Sequence, residues 1–227
     1  LEVTVKQRLV IGMILEKIAP AQTVIMETDA PLSAAVELFA ALNRAGIRYC
    51  HWKSNLRLDE SLAGRTDLDL LVDRRHEAEF RRVLAEQGVK ALADAPGKRF
   101  PGVEHQLGFD WQTGRLFHLH VHFQLVLGEQ YVKNYLLPLE KVFLDSARLR
   151  SGVKVPAPEL ELIVLALRVL LKYRDRDGIK DILAVHSPGI PAHMLTELTW
   201  LMELISPLEF EKTLAAVSDV IPPEAVR

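Results

Sequence analysis

Apolar positions along this chain recur with two different periods, which are mixed up to about Pro156 to Pro158 and give way to helical spacing alone beyond it. Val5 to Ile18 repeats every three to four residues, with Lys6, Gln7, Arg8, Glu16 and Lys17 on the polar side, which predicts a helix. Thr23 to Glu27 predicts a short strand or an extended connector. Asp29-Ala30-Pro31 starts a helix that runs to about Arg44 and stops at Gly46. Ile47 to Trp52 predicts a strand, and Leu56 to Leu62 a short helix or loop ending at Gly64. Arg75 to Gln87 is an amphipathic helix closed by Gly88, followed by a strand over Val89 to Leu92. His105 to Trp111 and Arg115 to Leu125 predict two strands turned by Gln112-Thr113-Gly114. A helix over Gly128 to Leu136 and a strand over Val142 to Leu149 complete this part. Beyond Pro158, helical spacing takes over in Glu159 to Tyr173, Ile179 to His186, Pro191 to Leu204 and Pro207 to Val217.

This alternation predicts an α/β (α+β) fold, a small mixed sheet with flanking helices, followed by a helical subdomain. The boundaries are an N-terminal helical or extended segment (1–30), an α/β domain (31–156) and a helical unit (157–227). No internal repeat is visible. Ordinary composition, 49% hydrophobic and 26% charged, allows a sizeable core. The net charge of -2 makes a nucleic-acid partner unlikely. The longest apolar run, Leu160 to Leu171, carries Glu161 and Arg168 and is too short to cross a bilayer. No signal peptide is recognisable, and the single cysteine, Cys50, reads as a buried thiol in a cytoplasmic protein. The start at Leu1 and the Pro222-Pro223 pair near the end read as a fragment of a longer protein.

Chemistry concentrates in Thr66-Asp67-Leu68-Asp69-Leu70-Leu71-Val72. Residues i and i+2 of a strand share a face, so Asp67 and Asp69 are expected to project together. Two close carboxylates repel, which a divalent cation relieves; hard oxygen ligands favour Mg²⁺, with Mn²⁺ as the alternative. The second feature is Phe117 to Gln124, where His118, His120 and His122 alternate with Leu119, Val121 and Phe123. One face of that strand is therefore imidazole and the other apolar.

The order of His51-Trp52-Lys53-Ser54-Asn55, a loop with Gly64, and Asp-x-Asp in an apolar run resembles the DNA polymerase beta-like nucleotidyltransferase superfamily. His51 to Asn55, Gly64 to Val72 and Leu119 to Gln124 are similar to an uncharacterised bacterial branch of nucleotidyltransferase-like domains, sometimes fused to a kinase-like domain. The resemblance covers roughly residues 35 to 185. It implies transfer of a nucleoside monophosphate from an NTP to an unknown hydroxyl or phosphate acceptor. By resemblance, Asp67 and Asp69 are catalytic metal ligands, and Lys53, Ser54, Asn55 and Thr66 belong to the nucleotide side. Lys53 stands where the family usually has Gly, and offers a point charge to a phosphate. The helical unit would close over the nucleotide, bringing Lys172 or Arg176 to phosphates, with Asp181 positioning them; the plainer reading of 172–181 is a charged helix junction.

The family's third carboxylate falls at His120, with His122 beside it as a further metal ligand. Three outcomes stay open: His120 serves as ligand or general base; Asp110 or Glu104 supplies a carboxylate from the neighbouring strand; or the domain binds nucleotide without turning it over. The last makes it a nucleotide-binding or partner-binding module of a larger protein. The His-x-His-x-His face also supports a His-dependent metallohydrolase. Arg81-Arg82, Arg148 and Arg150 read as solvated faces.

Overall fold

The computed structural model describes residues 30–93, 100–128, 135–173 and 191–220. The chain forms two compact units. Among the described residues, one takes in 30–125 and 140–157, the other 126–139 and 158–220.

The first unit is built on a five-stranded mixed sheet. Its strands are β1 (Tyr49–His51), β2 (Leu68–Val72), β3 (Lys90–Leu92), β4 (Val103–Asp110) and β5 (Arg115–His122), in the order β1-β2-β5-β4-β3. β2 and β5 are parallel at the centre, and every other pairing is antiparallel. A parallel neighbour cannot be reached by a tight turn. The connection here runs through a helix, the edge strand β3 and then β4.

The helices before, between and after these strands are α1 (Ser33–Arg44), α2 (Leu58–Leu62), α3 (Glu77–Glu86) and α4 (Glu140–Ser146). In α1, Ala35, Leu38, Phe39 and Leu42 are spaced as one stripe and are all buried. In α3 the stripe is Phe80, Val83 and Leu84. Both stripes share a core with Leu68, Leu70, Val72, Phe117, Leu119 and Val121 from the sheet. Each fully buried Leu or Phe here contributes roughly 1.5–3 kcal/mol. The predicted apolar side of the histidine strand is thus the core side.

Two elements differ from expectation. Val142 to Leu149, predicted as a strand, is the helix α4 followed by a short strand β8 (Arg148–Arg150), which pairs with β9 (Val153–Val155). Phe143 and Leu144 are buried, Lys141 pairs with Asp145 one turn on, and the Glu140 carboxylate accepts from the Leu125 N–H at 2.8 Å. These helical contacts outweigh the β-propensity of Val142 and Phe143. The helix expected over Gly128 to Leu136 ends instead as strand β7 (Tyr135–Leu137), paired with β6 (Leu125–Leu127); residues 129–134 lie outside the described set.

The second unit contains helices α5 (Pro158–Tyr173), α6 (Ala192–Leu204) and α7 (Pro207–Val220), with α5 against both others. The elements expected over Val5 to Ile18, Thr23 to Glu27 and Ile179 to His186 lie outside the described residues. No described helix is long and apolar enough to cross a membrane. Cys50 is buried.

Gly64 lies between α2 and β2 with φ +70°, and a Cβ there would stand 2.7 Å from the Leu116 carbonyl oxygen and 2.8 Å from Leu32 Cδ1. Gly114, at the β4–β5 turn, has φ +71° and open space around it. Gly114→Ala is expected to cost about 1 kcal/mol, for the left-handed backbone alone. Gly64→Ala adds a clash with backbone and should cost about 2–3 kcal/mol. Urea unfolding of the two variants measures the difference; equal losses would remove the close approach as its cause.

Candidate metal-binding site on the sheet

The register of β2 against β5 sets the site. Asp69 lies beside His120, and Leu71 beside His122, so the carboxylate and the imidazoles share the face opposite the helix-packed core. Asp67 precedes β2 rather than lying within it. The two aspartates therefore differ. The Asp67 side chain is 57% exposed and the Asp69 side chain 7%.

Each aspartate meets its own histidine. His118 Nδ1 lies 2.8 Å from Asp67 Oδ1, and His120 Nδ1 lies 3.0 Å from Asp69 Oδ1. Asp69 is also ion-paired with Lys53 from the turn after β1. Burial by itself pushes the Asp69 carboxyl up, but the Lys53 ammonium, His120 and His51 outweigh it and hold the group well below the usual carboxylate range. The His118 hydrogen bond holds Asp67 below its ordinary value, against an opposing effect of burial.

A fourth histidine completes the face. β4 pairs His105 with His120, and the ring of His105 lies nearly parallel to two of the three imidazoles on β5, with centroids 5.1 Å from His118 and 4.7 Å from His120. His105 Nδ1 is 3.0 Å from His118 Nε2, which makes a hydrogen-bonded row Asp67–His118–His105. At the inner end, the His122 ring meets the His120 ring at 4.4 Å and the edge of Trp52 at 5.1 Å. Asp69, His120 and His122 each offer one ligand atom, and the three atoms lie within 4.8 Å of one another. Asp67 stands outside that group.

The turn carrying Lys53 is held by its own side chains. Asn55 is buried; its Nδ2 donates to the His51 carbonyl at 2.9 Å, and its Oδ1 lies 2.8 Å from His51 Nδ1. Burial pushes the His51 imidazole below its ordinary value, favouring the neutral ring. Between these two residues the chain passes through Ser54 at φ 60°, ψ 33°, a left-handed conformation unusual for a residue with a Cβ. Lys53 is thereby presented to Asp69.

The other expected site residues fall as follows. Ser54 lies in the same turn as Lys53, and its carbonyl accepts from the Arg57 N–H. Asn55 braces the turn from inside it. The Thr66 hydroxyl lies 2.7 Å from the Ser61 hydroxyl. Neither Asp110 nor Glu104 joins the face. Asp110 caps the β4–β5 turn, accepting from the N–H groups of Gln112, Thr113 and Ala34, and Glu104 pairs with Arg81 of α3. Arg81 and Arg82 are engaged with glutamates on α3. Lys172 lies in α5, and Arg176 and Asp181 fall outside the described residues.

An Mg²⁺ ion takes an all-oxygen, near-octahedral shell. The face offers one buried carboxylate, one exposed carboxylate and several imidazoles, a donor set that suits Mn²⁺ better than Mg²⁺. No protein-family model, curated protein or solved structure matches this chain.

With Asp69 titrating below its unfolded value of about 3.9, its contribution to stability is full above that pH and is lost as pH falls further. Removing Lys53 leaves a buried carboxylate with one partner fewer. Lys53→Met is expected to cost about 3 kcal/mol at pH 7 and to move acid unfolding to higher pH, in EDTA-treated protein followed by circular dichroism. An unchanged urea midpoint at pH 7 and an unchanged acid transition would show that this ion pair does not hold the site.

Proposed function

We propose that this protein is a metal-dependent nucleotidyltransferase, passing a nucleoside monophosphate from an NTP to a hydroxyl or phosphate acceptor. The observation that carries the reading is the parallel register of β2 with β5, which sets His120 beside Asp69 where the resembling family has its third carboxylate. The strained Ser54 turn just upstream adds support, because it presents Lys53 to the same carboxylate.

In this reading an acceptor oxygen attacks the α-phosphorus, a new P–O bond forms, and the bond to pyrophosphate breaks. Asp69, His120 and His122 would hold Mn²⁺, which would offset charge on the transferring phosphoryl group when bound. Lys53 exchanges its carboxylate partner for the β- or γ-phosphate, as a mobile point charge can. Ser54 contributes its hydroxyl and backbone to the same phosphates. The His118–Asp67 pair lies on the outer side of the site, where Asp67 orients the ring and His118 Nε2 would exchange its His105 partner for the acceptor's proton. The kinase-like domain that accompanies such domains is a candidate partner.

A second reading has its own support. Lys53 already neutralises Asp69, and no described carboxylate takes the third position. Both features suit a domain that binds nucleotide as a sensor beside a catalytic partner and does not turn it over.

Calorimetry with ATP, GTP, CTP and UTP in Mn²⁺ and in Mg²⁺ tests nucleotide binding. At least one NTP should bind, and Asp69→Asn should weaken it by about tenfold or more, roughly 1.4 kcal/mol. Incubation with α-labelled NTP and a mixed acceptor pool then separates the readings: label transfer supports the enzyme, and binding without transfer supports the module. If no NTP binds the wild type, both readings fail.

A further inference from the structure

We propose that Asp69, His120 and His122 bind a first-row transition cation of the Mn²⁺, Fe²⁺, Co²⁺ or Zn²⁺ class and discriminate against Mg²⁺. The inference rests on the reading of this sheet face as an ion site, and does not require that a nucleotide binds.

Donor chemistry is the first argument. Two imidazoles and one carboxylate make a nitrogen-rich set. Imidazole suits Zn²⁺, Fe²⁺ and Co²⁺, and tolerates Mn²⁺, whereas Mg²⁺ holds to oxygen and gives up its waters reluctantly. Asp67 is the residue that an all-oxygen shell would need, and it stands outside the group of three.

Spacing is the second argument. With metal–ligand bonds of about 2.1 Å, neighbouring ligands on one ion lie about 3.0–3.4 Å apart. His120 Nδ1 and Asp69 Oδ1 already stand at 3.0 Å, and all three ligand atoms lie within 4.8 Å. Closing on an ion therefore asks for side-chain shifts of about 1–2 Å and no change of fold.

Preorganisation is the third. The register of the parallel pair fixes Asp69 against His120, and His122 follows two residues later on the same face. Neighbouring rings limit rotation: His105 lies along His120 with an interplanar angle of 7°, and Trp52 meets His122 edge-on at 71°. Charge agrees as well. Asp69 is ion-paired with Lys53, so a divalent ion that takes the carboxylate replaces one cation by another. Lys53 then turns away from the incoming ion.

Co²⁺ is the probe, because its visible absorption reports coordination directly. The full chain, dialysed against EDTA and then freed of it, is titrated with Co²⁺. The expected result is a visible band that saturates at one ion per chain, is abolished by Zn²⁺, and survives about a thousandfold excess of Mg²⁺. His120→Asn and His122→Gln should each weaken Co²⁺ binding by about tenfold or more, with circular dichroism confirming the fold. His122 is buried, so if His122→Gln does not fold, the partly exposed His120→Asn decides. Absence of a saturable band, equal competition by Mg²⁺, or wild-type Co²⁺ binding by folded His120→Asn would each overturn the proposal. Calorimetry with NTP is scored separately. A chain that binds Co²⁺ as described and no NTP keeps this inference and ends the nucleotide reading; one that binds Mg²⁺–NTP but not Co²⁺ does the reverse.

Discussion

The pairing of Asp69 with its neighbours on the central strands is the constraint around which the α/β unit is organised. A carboxylate that is almost wholly buried costs several kcal/mol unless charge and hydrogen bonds compensate it. Here the compensation comes from two segments: Lys53 from the turn after β1 and His120 from β5. None of these contacts is local. They hold only while β1, β2 and β5 keep their registers, so the polar face and the apolar core enforce the same strand alignment. A slip of one residue on β5 would bury the histidines among Leu68, Leu70 and the α1 stripe, and expose Leu119 and Val121.

The face is graded from outside to inside. Asp67 is open to solvent, His118 is partly exposed, His120 is mostly covered, and Asp69 and His122 are buried. Such a gradient separates two chemical tasks. Exposed groups can exchange protons and meet a large substrate, while covered groups sit where electrostatic interactions are stronger. Both the transferase reading and the transition-ion reading use this division, with Lys53 at the point where the two zones meet.

Much of this was legible in the chain because strand alternation has a period of two. The run Phe117 to Phe123 places its histidines on one side by alternation alone, and α1 and α3 declare themselves by their stripes. Asp67 and Asp69 were harder. Their i, i+2 spacing predicts equal standing, but β2 begins at Leu68, and the start of a strand depends on which backbone groups find partners across the sheet. His105 carried no local signal at all. It joins the face through the β4–β5 register, which is set by the turn that Asp110 caps, and register is a property of two strands together. Asn55 looked like a polar turn residue with a ligand to meet; inside the fold its amide is consumed by His51. The segment Val142 to Leu149 misled because branched and aromatic residues suit strands, whereas its partners lie where a helix can reach them.

One feature of the topology bears on the order in which the molecule is made. The carboxylates and the imidazoles that meet across β2 and β5 are separated by 51 residues of chain. Contacts of that range demand closure of a long loop before they return any stabilisation, and parallel pairing is slow for this reason. A polypeptide emerging from synthesis would carry both aspartates well before their histidine partners exist. The acidic strand thus spends its early life without its counterparts, and the shared polar face exists only once β5 has been made and has docked beside β2.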